Sequence, residues 1–290
     1  MRNMTRRALL AAGSAAALPA ASAEEPERVP LKIGHRASSM KMVGDFDICG
    51  VASQVPGLMG VELQVAAGEP NLWDLDAVRR YKREAHRWGI QIPSLSGVWG
   101  RGVSIKSSPV AGIQLLKSIR AAELIGARVI LVAFFRDRAP DMSDEADYAP
   151  VVELLRSAAG PARDAGVVLG LENSLSPADN KKLVDLIAEP NVQVYYDVHN
   201  MAFYGHGAEA VPGIALLGKE RICQVHVKNG ELLIEEPGPI DWRAAFAAFN
   251  EIGYEGWYVF ESSHSSRNQL IASTTRNIEF LRQQCRMPPA

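Results

Sequence analysis

The chain has 290 residues, 47% of them hydrophobic and 22% charged, which fits one soluble domain and excludes a disordered chain. Its 24 Gly and 17 Pro are ordinary values, so collagen-like and low-complexity classes are out. The formal net charge is −2; after residue 23, 28 bases face 33 acids, a net of −5, which gives no electrostatic reason to bind nucleic acid or anionic lipid.

Residues 1–23 differ from everything after them. They carry Arg2, Arg6 and Arg7, no acid, an apolar run from Ala8 to Ala17, and the small-residue cleavage pattern Ala21-Ser22-Ala23. The run is too short for a bilayer span, which needs about 20 residues. The segment resembles a twin-arginine export signal, so the expectation is a periplasmic or secreted protein with no stable membrane anchor after cleavage. Residues 24–30 read as a linker, 31–285 as one barrel domain and 286–290 as a tail. The cysteines Cys49, Cys223 and Cys285 are too few for a disulfide framework. Cys223 lies in an apolar run and reads as core; one Cys49–Cys285 bridge stays open.

Strand-like runs then follow in order: Leu31–Ala37, Gly60–Val65, Ile90–Ser96, Arg128–Phe135, Val167–Asn173, Val192–His199, Arg221–Lys228 and Gly256–Glu261. Between them, Leu72–Trp88, Pro109–Ile125, Tyr148–Ala165, Lys181–Ala188 and Trp242–Ile252 repeat apolar residues at three- and four-residue spacing, as amphipathic helices do. Gly89, Gly126, Gly166 and Gly253 sit where such helices stop. Eight alternations predict parallel strands with right-handed crossovers, closed into an α/β (β/α)8 TIM barrel. A doubly wound sheet would want a Gly-rich phosphate loop after the first strand. That position reads Gly34-His35-Arg36-Ala37-Ser38-Ser39 instead.

A barrel keeps its chemistry at the C-terminal ends of its strands. Four consecutive strand ends supply Glu172, Asp197, His226 and Glu261. Three acids and an imidazole converging at one mouth repel unless a cation joins them, and mixed O/N ligands suit one divalent Mn, Co, Mg or Zn ion. Around them, Glu62, His35, His199, Asn200, Lys228 and Trp99 are candidate substrate contacts. Glu62 could equally tune the metal site or anchor its loop. His199 shares strand parity with Asp197 if that strand continues, and Lys228 shares it with His226. Trp99 and Phe135 could wall a sugar face. Arg136 could bind an anionic substrate, but a rim ion pair is its first reading, and His86 reads as a surface residue. No basic cluster marks a phosphate site.

The phrases Gly60-Val61-Glu62-Leu63-Gln64, Gly170-Leu171-Glu172-Asn173, Tyr196-Asp197-Val198-His199-Asn200, Gln224-Val225-His226-Val227-Lys228 and Gly253 to Glu261 together carry a resemblance. With Gly238-Pro239-Ile240-Asp241-Trp242, they make the chain, from Leu31 to Arg282, similar to the sugar phosphate isomerase/epimerase family. That family belongs with the xylose isomerase-like TIM barrels, beside tagatose 3-epimerase-like and endonuclease IV-like enzymes. The resemblance implies one divalent metal on Glu172, Asp197, His226 and Glu261. It also implies that Glu172 and Glu261 exchange protons with a carbon next to a carbonyl, through an enediolate. The family's D-x-x-H pattern departs here: Asn200 stands third after Asp197, with His199 one residue early. Six histidines in all are too few for the endonuclease ligand set. The expected function is a metal-dependent isomerase or epimerase acting on a small carbohydrate, free or keto, without nucleic acid, with self-association left open. The alternatives are a lyase or dehydratase with the same enolate chemistry and a non-catalytic carbohydrate-binding barrel.

Overall fold

The structure is a computed structural model and describes residues 31–286. The expected signal, linker and all but one residue of the tail lie outside the described residues. Eight strands form a closed, fully parallel barrel in sequence order: β1 (Lys32–Arg36), β2 (Gly60–Gln64), β3 (Ser94–Ser96), β4 (Val129–Phe134), β5 (Val168–Asn173), β6 (Val192–Asp197), β7 (Ile222–Val227) and β8 (Trp257–Phe260). Each lies within a run read from the sequence. The third is the shortest, because Pro93 removes a ladder donor just before it.

The helices between them are α1 (Ile48–Ala52), α2 (Leu75–Trp88), α3 (Ala111–Ile125), α4 (Glu145–Asp164), α5 (Pro177–Ile187), α6 (Val198–Phe203), α7 (Pro212–Leu217), α8 (Trp242–Glu251) and α9 (Arg267–Arg286). Five match the expected periodic stretches. Their starts are set by side chains that accept orphan backbone N–H groups: Asp74 for α2, Asp144 for α4, Ser176 for α5 and Asp241 for α8. Gly89 and Gly126 end α2 and α3 in the left-handed conformation a side chain resists.

One expectation fails with consequences for the site. The sixth strand does not run to His199. It stops at Asp197, whose carboxylate accepts the Asn200 N–H at 2.9 Å and caps α6. His199 is therefore helical, and its strand parity with Asp197 does not exist. The three cysteines are free thiols, so Cys49 and Cys285 are not bridged.

The main apolar core fills the layer between strands and helices. Inside the barrel the apolar cluster is small, built on Val129, Leu131 and Tyr195. Beside it lies a buried polar network. Tyr195 on β6 donates to Glu62 Oε2 on the opposite strand β2 at 2.8 Å, a contact that must cross the barrel. Ser94 donates to the same oxygen at 2.9 Å, and Gln224 donates to Ser94 and to Tyr195 at 2.7 and 2.8 Å. All four side chains are buried, so these bonds replace the water they have lost.

A candidate metal centre at the barrel mouth

Strands β5 to β8 carry Glu172, Asp197, His226 and Glu261 to one spot above this polar floor. Each residue offers one ligand-type atom, and these atoms all lie within 4.8 Å of one another. His226 is the focus. Its Nδ1 lies 3.3 Å from Glu172 Oε1, 3.4 Å from Glu261 Oε2 and 3.8 Å from Asp197 Oδ2. Its other nitrogen, Nε2, faces Glu62 Oε1 at 3.5 Å from below. The imidazole thus points one nitrogen at the acids and keeps the other against a carboxylate, the arrangement that fixes the tautomer of a metal-ligating histidine.

Two cations complete the cluster. Arg36 pairs with Glu62 at 3.2 Å and more closely with Glu261. Lys228 Nζ lies 2.7 Å from Asp197 Oδ2 and 2.6 Å from Glu261 Oε2. Four carboxylates against these two permanent cations leave a formal −2 in a site where Glu62, Asp197 and His226 are wholly buried. A neutral imidazole and one divalent cation close that balance. Three carboxylates and an imidazole are an oxygen-rich, mixed donor set suited to Mn, Co, Mg or Zn. Asp197 Oδ2, which faces the cluster, is buried and lacks an aligned hydrogen bond among the described residues. The residues therefore fit the ion.

The pKa directions report the same crowding. Burial drives the His226 imidazolium down, but Glu261, Glu172 and Glu62 outweigh it and push the group up to about 10. Burial raises Asp197 to about 6, with Lys228 opposing and the neighbouring acids assisting. Burial would raise Glu62, yet His226 and Arg36 hold it down at about 2. Burial would also raise the part-buried Glu261, yet His226, Arg36 and Lys228 hold it below the usual carboxylate range.

The other expected contacts divide. Asn200, from the first turn of α6, donates to Glu172 Oε1 at 2.8 Å. Lys228 is a part-buried cation shared by two acids. His199 is half-buried beside the site, with a buried Nδ1 that has no partner among the described residues. Glu62 has no exposed surface and lies under His226, held by Ser94, Tyr195 and Arg36, a position that suits the tuning role among its expected readings. His35 is likewise enclosed. It is fully buried and bonded to His264 at 3.1 Å; burial and His264 lower it to about 3. Trp99 is part-buried in the loop after β3, where its Nε1 donates to the Ala133 carbonyl at 3.0 Å. Arg136 has no ion pair among the described residues, against the rim pair expected of it.

Arg36, Tyr195, Ser94 and Gln224 were not expected at the site. Arg36 is placed by the strand register, which only the folded barrel shows. It pairs in register with Glu62, and a one-residue step along β1 exchanges inward for outward, so Arg36 rather than His35 faces inward.

Comparison with known proteins places the chain. A family profile described as xylose isomerase-like TIM barrel matches residues 51–284. A protein of Escherichia coli (strain K12), provisionally named L-ribulose-5-phosphate 3-epimerase, is 28% identical over 163 residues, 50% of this chain and 55% of that protein. The chain spans about half the length of the curated relatives it matches. The structure of D-allulose 3-epimerase from Methylomonas sp. in complex with D-allulose superposes with a TM-score of 0.71 at 20% identity, covering 88% of this chain and 97% of that one. D-psicose 3-epimerase with D-tagatose from Clostridium cellulolyticum H10 gives 0.74 at 18% identity, covering 89% and 100%. At such identities these two structures speak for the fold. With a profile that spans most of the sequence and eight parallel strands closed in order, the chain belongs to the xylose isomerase-like TIM barrel family.

Proposed function

We propose that the chain is a divalent-metal-dependent isomerase or epimerase that moves a proton at a carbon next to the carbonyl of a sugar or keto-sugar. The observation that carries this reading is the convergence of Glu172, Asp197, His226 and Glu261 within 4.8 Å at the barrel mouth, with a residual local charge of −2. The curated relatives' names, both epimerases of phosphorylated substrates, support the reaction class.

Glu172, Asp197, Glu261 and Nδ1 of His226 would hold the ion. When bound, it supplies a Lewis acid for the carbonyl and the neighbouring hydroxyl oxygen of the substrate. The chain's residues do the rest. Glu172 on β5 and Glu261 beyond β8 approach from sides of the mouth three strands apart. One carboxylate takes the proton from the carbon, leaving the electron pair delocalised as the enediolate. The other returns a proton to the opposite face, which inverts the centre. Asn200 fixes Glu172, while Arg36 and Lys228 fix Glu261. With Glu62 buried beneath, His226 keeps its ring aimed at the mouth.

Metal analysis of the purified, Mn²⁺-loaded chain tests the centre. The expected result is one ion per chain in the native protein. Asp197→Asn and His226→Ala should each lose it while keeping native helix and strand content, since the barrel rests on apolar strand faces. Full occupancy in both variants would remove these residues from the centre.

A further inference from the structure

The loops that follow β3 and β4 line an open cavity of about 550 Å³ beside the centre. Its size falls in the range of small-molecule sites. Two elements join it to the centre. Ala133, in its wall, is the register partner of Glu172. Tyr204, also in its lining, ends the α6 segment whose Asn200 holds Glu172.

The cavity has an aromatic side and a basic rim. Phe135 and Tyr204 stack at 5.5 Å between centroids, 20° from parallel, and Trp99 is tied to the end of β4 by its bond to Ala133. Such rings offer a flat apolar face with a polar edge. The rim carries Arg101 from one loop and Arg136 and Arg138 from the other. The cluster is invisible as a run in the sequence; folding assembles it. All three arginines are exposed, and none has an ion pair or side-chain hydrogen bond among the described residues. Asp137 is the one acid in the lining, which leaves the wall at +2 on a body that is otherwise acidic. Arg136 is also held at φ +56°, in the left-handed region, with its N–H donating to Ser174 Oγ at 2.8 Å. Residues kept in that conformation gather at ligand clamps. Guanidinium forks match the oxygens of carboxylate, sulfate and phosphate two at a time.

We propose that this cavity is a distal subsite for an oxyanion-bearing substrate, with the sugar ring against Trp99, Phe135 and Tyr204 and the oxyanion on Arg101, Arg136 and Arg138. The assignment rests on the epimerase reading for where the reacting carbon lies. The cavity's preference for charge is measurable without turnover.

The test compares binding of D-glucose, D-glucuronate, D-glucose 6-sulfate and D-glucose 6-phosphate to the metal-loaded full chain by titration calorimetry. The same is done for Arg136→Gln/Arg138→Gln and for Arg101→Gln, each checked for native circular dichroism. At least one charged sugar should bind roughly tenfold tighter than glucose, as charge-assisted bidentate contacts allow. That advantage should shrink with added salt and be lost in the double variant, with glucose binding unchanged. The ranking of the three charged sugars names the oxyanion. Equal or undetectable binding of charged and neutral sugars by the native chain overturns the proposal. So does an undiminished advantage in both arginine variants. Failure of metal binding or of proton exchange would overturn the neighbouring centre without moving these numbers.

Discussion

His226 separates two jobs between its two nitrogens: Nδ1 meets three acids and Nε2 meets Glu62. Without metal, those acids lift the imidazolium to about 10 from its ordinary 6.5. A pKa raised by folding contributes stability that is complete below the unfolded value and is lost as pH rises through the folded one. Chelator-treated protein should therefore melt at progressively lower temperature between about pH 6.5 and 10. His226→Gln should flatten that slope, and parallel slopes in the two proteins would refute the assignment. Glu62 reaches the centre through His226 and Arg36. Glu62→Gln keeps a carboxamide oxygen for Ser94 and Tyr195 but loses the charge under the imidazole. It should weaken metal affinity by roughly 10- to 100-fold, the range for such supporting carboxylates. The KM for substrate at saturating metal should stay unchanged; a raised KM there would return Glu62 to the substrate site. The four ligand-type residues were legible because a charged residue closing an apolar strand has few reasons to be there. Arg36 and the Tyr195–Gln224 floor were not, because they depend on which strand parity faces inward and on contacts between strands on opposite sides of the barrel.

At the scale of elements, the strands were legible from apolar runs and the longer helices from periodicity. The short α1, α6 and α7, of 5, 6 and 6 residues, are below the length at which a period can be seen. α6 is the one that matters. Because Asp197 caps it, the turn into the helix sets both the direction of that carboxylate and the position of Asn200 against Glu172. β5 shows how tightly the floor is built. A Cβ on Gly170 would lie 2.8 Å from Cys223 Sγ and 3.2 Å from both Tyr195 Cβ and Val129 Cγ1. Gly170→Ala should destabilise the protein by about 1–3 kcal/mol, the usual range for overpacking. Adding Cys223→Ala should recover part of that loss in denaturant unfolding. No destabilisation by the single change would mean the floor is looser than these distances state.

For the whole molecule, eight strand–helix units closed in sequence order account for the fold, and the closure brings residues 172, 197, 226 and 261 together from four successive units. The alternation was readable along the chain. The cavity wall made by Arg101, Arg136, Arg138 and Tyr204 was not, because its loops meet only in three dimensions. The central claim is that Glu172 and Glu261 are two proton carriers on one substrate carbon. It is tested most directly by incubating the Mn²⁺-loaded chain with a panel of sugars, 3-keto-sugars and their anionic derivatives in D₂O. Deuterium entering each sugar is followed by NMR, for the native protein and for Glu172→Gln and Glu261→Gln. Glutamine keeps the size and an oxygen but removes the base. The expected result is deuterium at one carbon next to the carbonyl with the native protein, and epimerisation slowed by roughly 100-fold or more in each variant at full metal occupancy. One of the two variants should still exchange hydrogen without inverting the centre. Metal-replete variants that epimerise at near-native rates, or product formed without solvent deuterium, would contradict the two-carboxylate mechanism.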